Sequence, residues 1–165
     1  MMKRWIAVLI LAVMAAGVAA GYAEPEAEMD KVFVICQIDS HVIVRSSPRK
    51  KGIEYAIGEA GDWFWTDWKE RNGYLHVYGN FEDSEGWICK RYVTVWEPYV
   101  YRDGKKFKVN VDRVNCRQYI GGKRKGTLIR DSEVTVYVET PEWCVTNCGY
   151  IQTEFLDEVE DETDR

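Results

Sequence analysis

Short runs of β-branched and aromatic residues recur along the chain, separated by clusters of Gly, Asn, Asp and Ser. Residues 31–38 (KVFVICQI) and 41–45 (HVIVR) are two such runs. Residues 62–68 (DWFWTDW) and 73–78 (GYLHVY) are dense in aromatics, and residues 86–89 (GWIC) follow a turn-rich GNFEDSEG. The second half runs KVNVDRVNCR, GTLIR, EVTVYVE, EWCVT and GYI. No window sustains a helical period. The pattern predicts an all-β protein whose short strands have the spacing of small barrels or sandwiches.

The two halves repeat. Gly86-Trp87-Ile88-Cys89-Lys90-Arg91-Tyr92-Val93 aligns without gaps to Gly149-Tyr150-Ile151-Gln152-Thr153-Glu154-Phe155-Leu156. Each reads Gly, aromatic, Ile, three variable residues, aromatic, aliphatic. Upstream, Val44-Arg45 matches Cys116-Arg117. A basic loop follows each: Arg49-Lys50-Lys51-Gly52 and Lys123-Arg124-Lys125-Gly126. A duplication of this size predicts two small domains, over residues 31–96 and 97–156. Pro98 interrupts the strand pattern at their junction.

The N-terminus belongs to neither repeat. Lys3 and Arg4 precede an apolar run from Trp5 to Ala20, and the segment ends in small residues. That order is the pattern of a secretory signal peptide over residues 1–23, with cleavage after Ala20 or Ala23. The run falls short of the roughly 20 residues of a spanning helix. An uncleaved anchor is the other reading of the same segment. An acidic leader (residues 24–30) follows. The expected location is secreted or extracytoplasmic, with no membrane span after cleavage.

Charge refines this picture. The formal net charge is −5 over 165 residues. The excess acids crowd the leader and an acidic tail, residues 157–165, both with the composition of solvated, disordered segments. Between Lys31 and Leu156 bases and acids nearly balance. A dedicated nucleic-acid binder shows a basic excess, so nucleic acid is not an expected partner. A unit of about 60 residues buries a marginal core. Large aromatics compensate, so Trp87, Tyr92, Trp143, Tyr150 and Phe155 are expected to pack inward.

The order of these segments resembles the bacterial SH3 (SH3b) domain family, in two tandem copies. The resemblance rests on a strand, a V-R-x-x-P loop, a second strand pair, and a closing G-W/Y-I segment followed by an aromatic and an aliphatic residue. The second copy is the closer match, with VNCR, GTLIRDSEVTVYVE and EWCVTNCGYIQTEFL. The first has Arg45 and Pro48 in place, but Asp62-Trp63 and Asn72-Gly73-Tyr74 depart from the pattern. The resemblance implies two small SH3-like β-barrels after the signal peptide. It also implies modules that bind cell-wall peptides or other ligands. In such barrels the loop after the V-R strand flanks the ligand groove. Arg49, Lys50, Lys51, Lys123, Arg124 and Lys125 are therefore candidate contacts.

Five cysteines remain after cleavage: Cys36, Cys89, Cys116, Cys144 and Cys148. A small secreted domain invites disulfides. Cys144 and Cys148 flank a tight turn and are one pair, and Cys116 with Cys148 is another. If the opening and closing strands neighbour each other, as the resemblance implies, Cys36 and Cys89 are a third. Free buried thiols are the alternative. Cys144-x3-Cys148 has the spacing of a zinc half-site but lacks a second pair, so no metal or cofactor is expected.

Catalytic patterns are absent from the sequence. His41 and His76 are the only histidines, and no G-x-S-x-G, H-E-x-x-H or phosphate loop occurs. The chain is expected not to be an enzyme. Binding fits better. The first repeat has more aromatics than one inward face can use. If Trp63 and Trp65 point inward, Phe64 and Trp68 are exposed and available to a ligand. The expectation is a non-catalytic binding protein for peptidoglycan or wall-associated peptide. An adaptor for an envelope protein is the alternative.

Overall fold

The computed structural model describes residues 29–79 and 85–159. The expected signal peptide, most of the acidic leader and the end of the acidic tail lie outside them. The first sheet holds β1 (Asp30–Val34), β2 (Val42–Arg45), β3 (Glu54–Gly58), β4 (Trp63–Arg71), β5 (Tyr74–Tyr78), β6 (Glu85–Cys89) and β7 (Val93–Thr94). The second holds β8 (Tyr99–Val109), β9 (Arg113–Arg117), β10 (Arg124–Ile129), β11 (Glu133–Glu139), β12 (Trp143–Thr146), β13 (Gly149–Gln152) and β14 (Leu156–Glu158). Their orders are β3-β2-β6-β5-β4-β1-β7 and β10-β9-β13-β12-β11-β8-β14. Moving each strand label by seven turns one order into the other. Every pairing is antiparallel. The fold is all-β, and the repeat is one of topology as well as sequence.

In each unit the opening strand is bonded on both edges. β1 lies between β4 and β7, with Val32 opposite Phe64 and Val34 opposite Val93. β8 lies between β11 and β14, with Phe107 opposite Val134 and Val109 opposite Leu156. A single 3-10 turn, Lys90–Tyr92 or Thr153–Phe155, reverses the chain before the closing strand. Each sheet wraps a core of its own. Val32, Val34, Val44, Phe64, Leu75, Val77 and Ile88 form the first. Phe107, Val109, Val114, Val134, Val136, Cys144 and Ile151 belong to the second.

Two strand boundaries differ from the sequence pattern. KVNVDRVNCR is not one strand. β8 ends at Val109, β9 begins at Arg113, and the intervening residues turn the chain, with the Arg130 Nη1 donating to the Asn110 carbonyl at 2.7 Å. Residues 54–58, unassigned by pattern because EYAIG lacks a hydrophobic run, form β3 by pairing with β2.

The facing of β4 reverses the expectation. Phe64 is buried at 8% exposure, whereas Trp63 and Trp65 are exposed at 45% and 39%. Both parities of WFWTDW are aromatic, so alternation alone does not choose. Gly58 decides in favour of Phe64: a Cβ there would lie 3.2 Å from the ring, and its absence makes the space. Trp87 and Trp143 are half-buried and outside the two principal cores, unlike the expectation for them. The apolar inner faces are filled by their neighbours Ile88 and Cys144.

The cysteines are free thiols in the structure. Cys36 and Cys89 do not lie on neighbouring strands, because β1 pairs with β4 and β7 while β6 pairs with β5 and β2. Cys36 is buried and donates to the Ser40 carbonyl at 3.4 Å. Cys144 faces the second core beside the Thr153 hydroxyl, at 3.5 Å, on strand positions opposite Ile151. Burial pushes its thiol up to about 11. Cys148 sits in the turn between β12 and β13 and reaches the Cys116 thiol instead. Burial, then the adjoining Cys148, push Cys116 up to about 12.

The two units pack together. Ile35 of the first is buried with Val138, Val145 and Tyr150 of the second. The Tyr150 hydroxyl donates to the Ile35 carbonyl at 2.8 Å, and Gln37 Nε2 donates to the Thr146 carbonyl at 3.0 Å. The Arg91 guanidinium lies 4.5 Å from the Tyr119 ring centre, a cation–π contact across the same seam.

Two outcomes are expected. Phe64→Ala empties a core site and destabilises by about 3–5 kcal/mol in urea unfolding. Trp65→Ala, on the open face, costs no more than roughly 1 kcal/mol; equal costs would contradict the facing of β4. Mild treatment with oxidised glutathione joins Cys116 to Cys148, read by peptide mapping without reductant. A Cys36–Cys89 or Cys144–Cys148 product would contradict the placement of the thiols.

Candidate functional site

The candidate site is the outer face of β1, β4, β5 and β6. Register places its side chains. Lys31 lies opposite Trp65, Trp65 opposite Tyr78, Tyr78 opposite Glu85, and His76 opposite Trp87. Alternation then puts these residues on one surface. The Lys31 ammonium sits 4.1 Å from the Trp63 ring centre and 5.3 Å from that of Trp65. Trp63 and Trp65 meet edge to face at 5.4 Å. The His76 ring lies 4.8 Å from both Tyr78 and Trp87.

A break in β4 brings acid chemistry to this face. Thr66 pairs with Val77, but the next pair is Glu70 with Leu75, so β4 carries two residues more than its partner. Trp68 in this bulge has φ of 60°, a left-handed conformation that is uncommon for a bulky side chain. Polar contacts hold it there. The Trp68 amide donates to Thr66 Oγ1 at 3.1 Å, and its indole N–H donates to Asp30 Oδ2 at 2.7 Å. Thr66 is itself fixed, donating to the His76 carbonyl at 2.7 Å.

The bulge presents Asp67 to four groups. Lys69 Nζ lies 2.7 Å from Oδ2, and the Tyr78 hydroxyl donates to the same oxygen at 2.9 Å. His76 Nδ1 is 3.3 Å from both carboxylate oxygens. The Lys69 amide donates to Oδ1 at 3.2 Å. Burial opposes ionisation of this carboxyl. The hydrogen bonds from Lys69, Tyr78 and His76 outweigh it and hold Asp67 well below the usual carboxylate range. Glu85 lies beyond, 3.8 Å from His76 Nε2.

The second unit supplies an internal control. Trp63 and Trp65 stand where it has Glu133 and Thr135, because both pairs face the opening strand at equivalent register. Lys106 takes the place of Lys31. Its Nζ is 3.4 Å from Glu133 and donates to Thr135 Oγ1 at 3.2 Å. An ordinary charged and polar set therefore satisfies this architecture. The tryptophans are an addition to the first unit that the fold does not require.

The sequence-derived candidates fall in three places. Arg49, Lys50 and Lys51 are exposed between β2 and β3, and Lys123, Arg124 and Lys125 are exposed at the matching hairpin of β9 and β10. Each hairpin is clipped by its V-R or C-R arginine: Arg45 Nη1 donates to the Gly52 carbonyl at 3.1 Å, and Arg117 Nη1 to the Gly122 carbonyl at 2.8 Å. Trp68 is exposed, as expected, and lies beside the site. Phe64 is buried and takes no part in it. Trp63, Trp65, Asp67, His76, Tyr78 and Trp87 were not candidates. A parity choice for β4 concealed the first two, and only register shows that Asp67 and His76 meet.

No family model matches the chain, and no curated protein does. The solved structures similar to it include two from one organism. One is NlpC1 from Trichomonas vaginalis, with TM-score 0.31 and 15% identity over 87% of this chain and 50% of that one. The other is NlpC2 from the same organism, with TM-score 0.30 and 14% identity over 84% of this chain and 51% of that one. The chain spans about half the length of each.

The Asp67 network has a pH signature. A depressed carboxyl contributes stability that is present above the unfolded pKa, near 3.9, and is lost as pH falls through the lower folded value. Asp67→Asn is expected to lower stability by about 1–3 kcal/mol at neutral pH. The gap to the parent protein narrows only in acid below that unfolded value. Thermal melts across the acid range measure it, and a gap independent of pH would contradict the network.

Proposed function

We propose that the chain is a secreted, non-catalytic binding protein made of two SH3b-like modules that recognises peptidoglycan or cell-wall-associated peptide. The observation that carries this reading is the exchange of Glu133 and Thr135 for exposed Trp63 and Trp65 on an otherwise repeated scaffold. Burying such rings against solvent-exposed sugar or peptide yields much apolar area per residue. The strand order supports the SH3-like assignment. In both units the opening strand lies between the fourth and the last, and a 3-10 turn precedes the closing strand. The two exposed basic hairpins suit an anionic polymer or peptide carboxylates.

Binding without catalysis also fits the thiols. Cys36, Cys116 and Cys144 are buried, and burial raises each above its ordinary value, which disfavours the thiolate that a nucleophile needs. His76 is buried and engaged by Asp67, and His41 is exposed. A second reading, an adaptor for an envelope protein, is favoured by the seam between the units. There one module already holds a protein segment, through Tyr150 and Ile35.

Sedimentation with purified peptidoglycan at low and high salt tests the first reading on residues 24–165. Pelleting is expected, and it weakens as salt rises because the basic hairpins are exposed. Charge reversal at Lys50 and Lys51 lowers the pelleted fraction without changing the melting temperature. No pelleting at either salt would overturn wall binding and leave the adaptor.

A further inference from the structure

The turn between β11 and β12 and the 3-10 turn Thr153–Phe155 border an open cavity of about 300 Å³ in the second unit. Pro141, Glu142, Trp143, Gln152 and Glu154 line it. Hydrogen bonds fix both walls. The buried Thr140 hydroxyl donates to the Trp143 carbonyl at 2.9 Å and accepts from the Trp143 amide at 3.0 Å. The Thr153 hydroxyl donates to the Thr140 carbonyl at 2.7 Å, and the Thr153 amide donates to the Glu142 carbonyl at 3.1 Å. Trp143 packs against the seam cluster of Val138, Val145 and Tyr150 and also lines the cavity, so its ring is anchored.

The first unit builds the same corner with other side chains. Tyr74 pairs with Cys89 as Trp143 pairs with Gln152. The Lys90 amide donates to the Gly73 carbonyl at 3.1 Å, as the Thr153 amide does to Glu142. Gly73 therefore stands where the second unit has Glu142. Arg91 stands where it has Glu154, and its guanidinium stacks on Tyr119. The backbone thus accepts a glycine and a cation at these two positions. The second unit has two carboxylates there, and among the described residues no cation pairs with either. The acids and the larger Trp143 ring are additions that the shared fold does not require.

We propose that this cavity binds an alkylammonium group, with the charged head between Glu142 and Glu154 and the aliphatic stem on the Trp143 ring. Two carboxylates draw a cation by charge, and a tryptophan face adds cation–π attraction. A metal ion fits less well. A hard divalent cation takes six or more oxygen ligands, and a ring supplies none. Among the described residues no group of three or more metal-ligating side chains converges here. The amine is that of a free diamine or of a lysine side chain, since both present the same head and stem. The proposal does not rest on wall binding, which was argued from the first unit's tryptophans and the basic hairpins.

Calorimetry on the full chain tests it with two amine probes, cadaverine and Nα-acetyllysine methylamide. Saturable binding of an amine is expected, and it weakens as salt rises. Binding of cadaverine alone assigns a free amine, and binding of the lysine derivative alone assigns a side chain. Glu154→Arg, which installs the first unit's residue, and Glu142→Gln each weaken binding about tenfold or more. Both variants keep the melting temperature, because only the backbone at these positions holds the turns together. No saturable binding of either amine would overturn the proposal. Equal binding of the uncharged Nα-acetylnorleucine methylamide would overturn it too, as would amine binding unchanged in both glutamate variants. Saturable binding of N-acetylglucosamine with both amines silent would overturn it in favour of a neutral sugar. Wall sedimentation plays no part in these outcomes, so failure here is separable from failure of wall binding.

Discussion

Each unit depends on a strand that is bonded on both sides. β1 must satisfy its backbone against β4 and, across the wrapped sheet, against β7. A buried strand cannot leave amide groups unpaired without a cost comparable to a lost hydrogen bond. The closing strand must therefore return to the opening one, and the 3-10 turn at Lys90–Tyr92 is the short reversal that brings it there. The same constraint acts on β8, β11 and β14. Gly149 belongs to it too. Its φ of 134° and its close approach to the Arg117 carbonyl exclude a side chain where β13 meets β9.

With the inner face committed to packing, variation is confined to the outer one. The two units resolve one surface in different ways. In the second, Lys106, Glu133 and Thr135 make an ordinary polar patch, and Val145 and Tyr150 are spent on the seam. In the first, Lys31 lies on two tryptophans, and His76 takes the place of Val145 and is locked by an ionised, buried Asp67. β11 is bulged by one residue at the equivalent place, whereas β4 carries two extra residues and the left-handed Trp68, and these carry Asp67 onto His76. In the first unit, backbone strain at Trp68 is held by side-chain hydrogen bonds next to a charge network and exposed aromatics.

The legible part of the molecule was the part governed by local pattern. Alternation in residues 133–139 gave β11 at its observed limits, and the gapless match of residues 86–93 with 149–156 located the closing segments of both units. The candidate site was legible only in part. The surplus of aromatics in residues 62–68 pointed to the right strand, but not to the right side chains. The reading that turns Trp63 and Trp65 inward exposes Phe64, whereas in the structure Phe64 is buried and both tryptophans are exposed.

The sequence by itself determined an all-β chain, its duplication, and two exposed basic hairpins, because strand period, turn residues and internal repetition are written in neighbouring positions. Tertiary structure decided the rest. Gly58, six residues before Phe64, chose the parity of β4 by leaving room for a ring. Pairing of β5 with β4 and β6 brought Asp67, His76 and Trp87 together. The seam fixed that Val145 and Tyr150 of the second unit are covered by Ile35 of the first. Each of these depends on contacts between residues distant in the chain, and a side chain's facing is set by what it meets across the sheet.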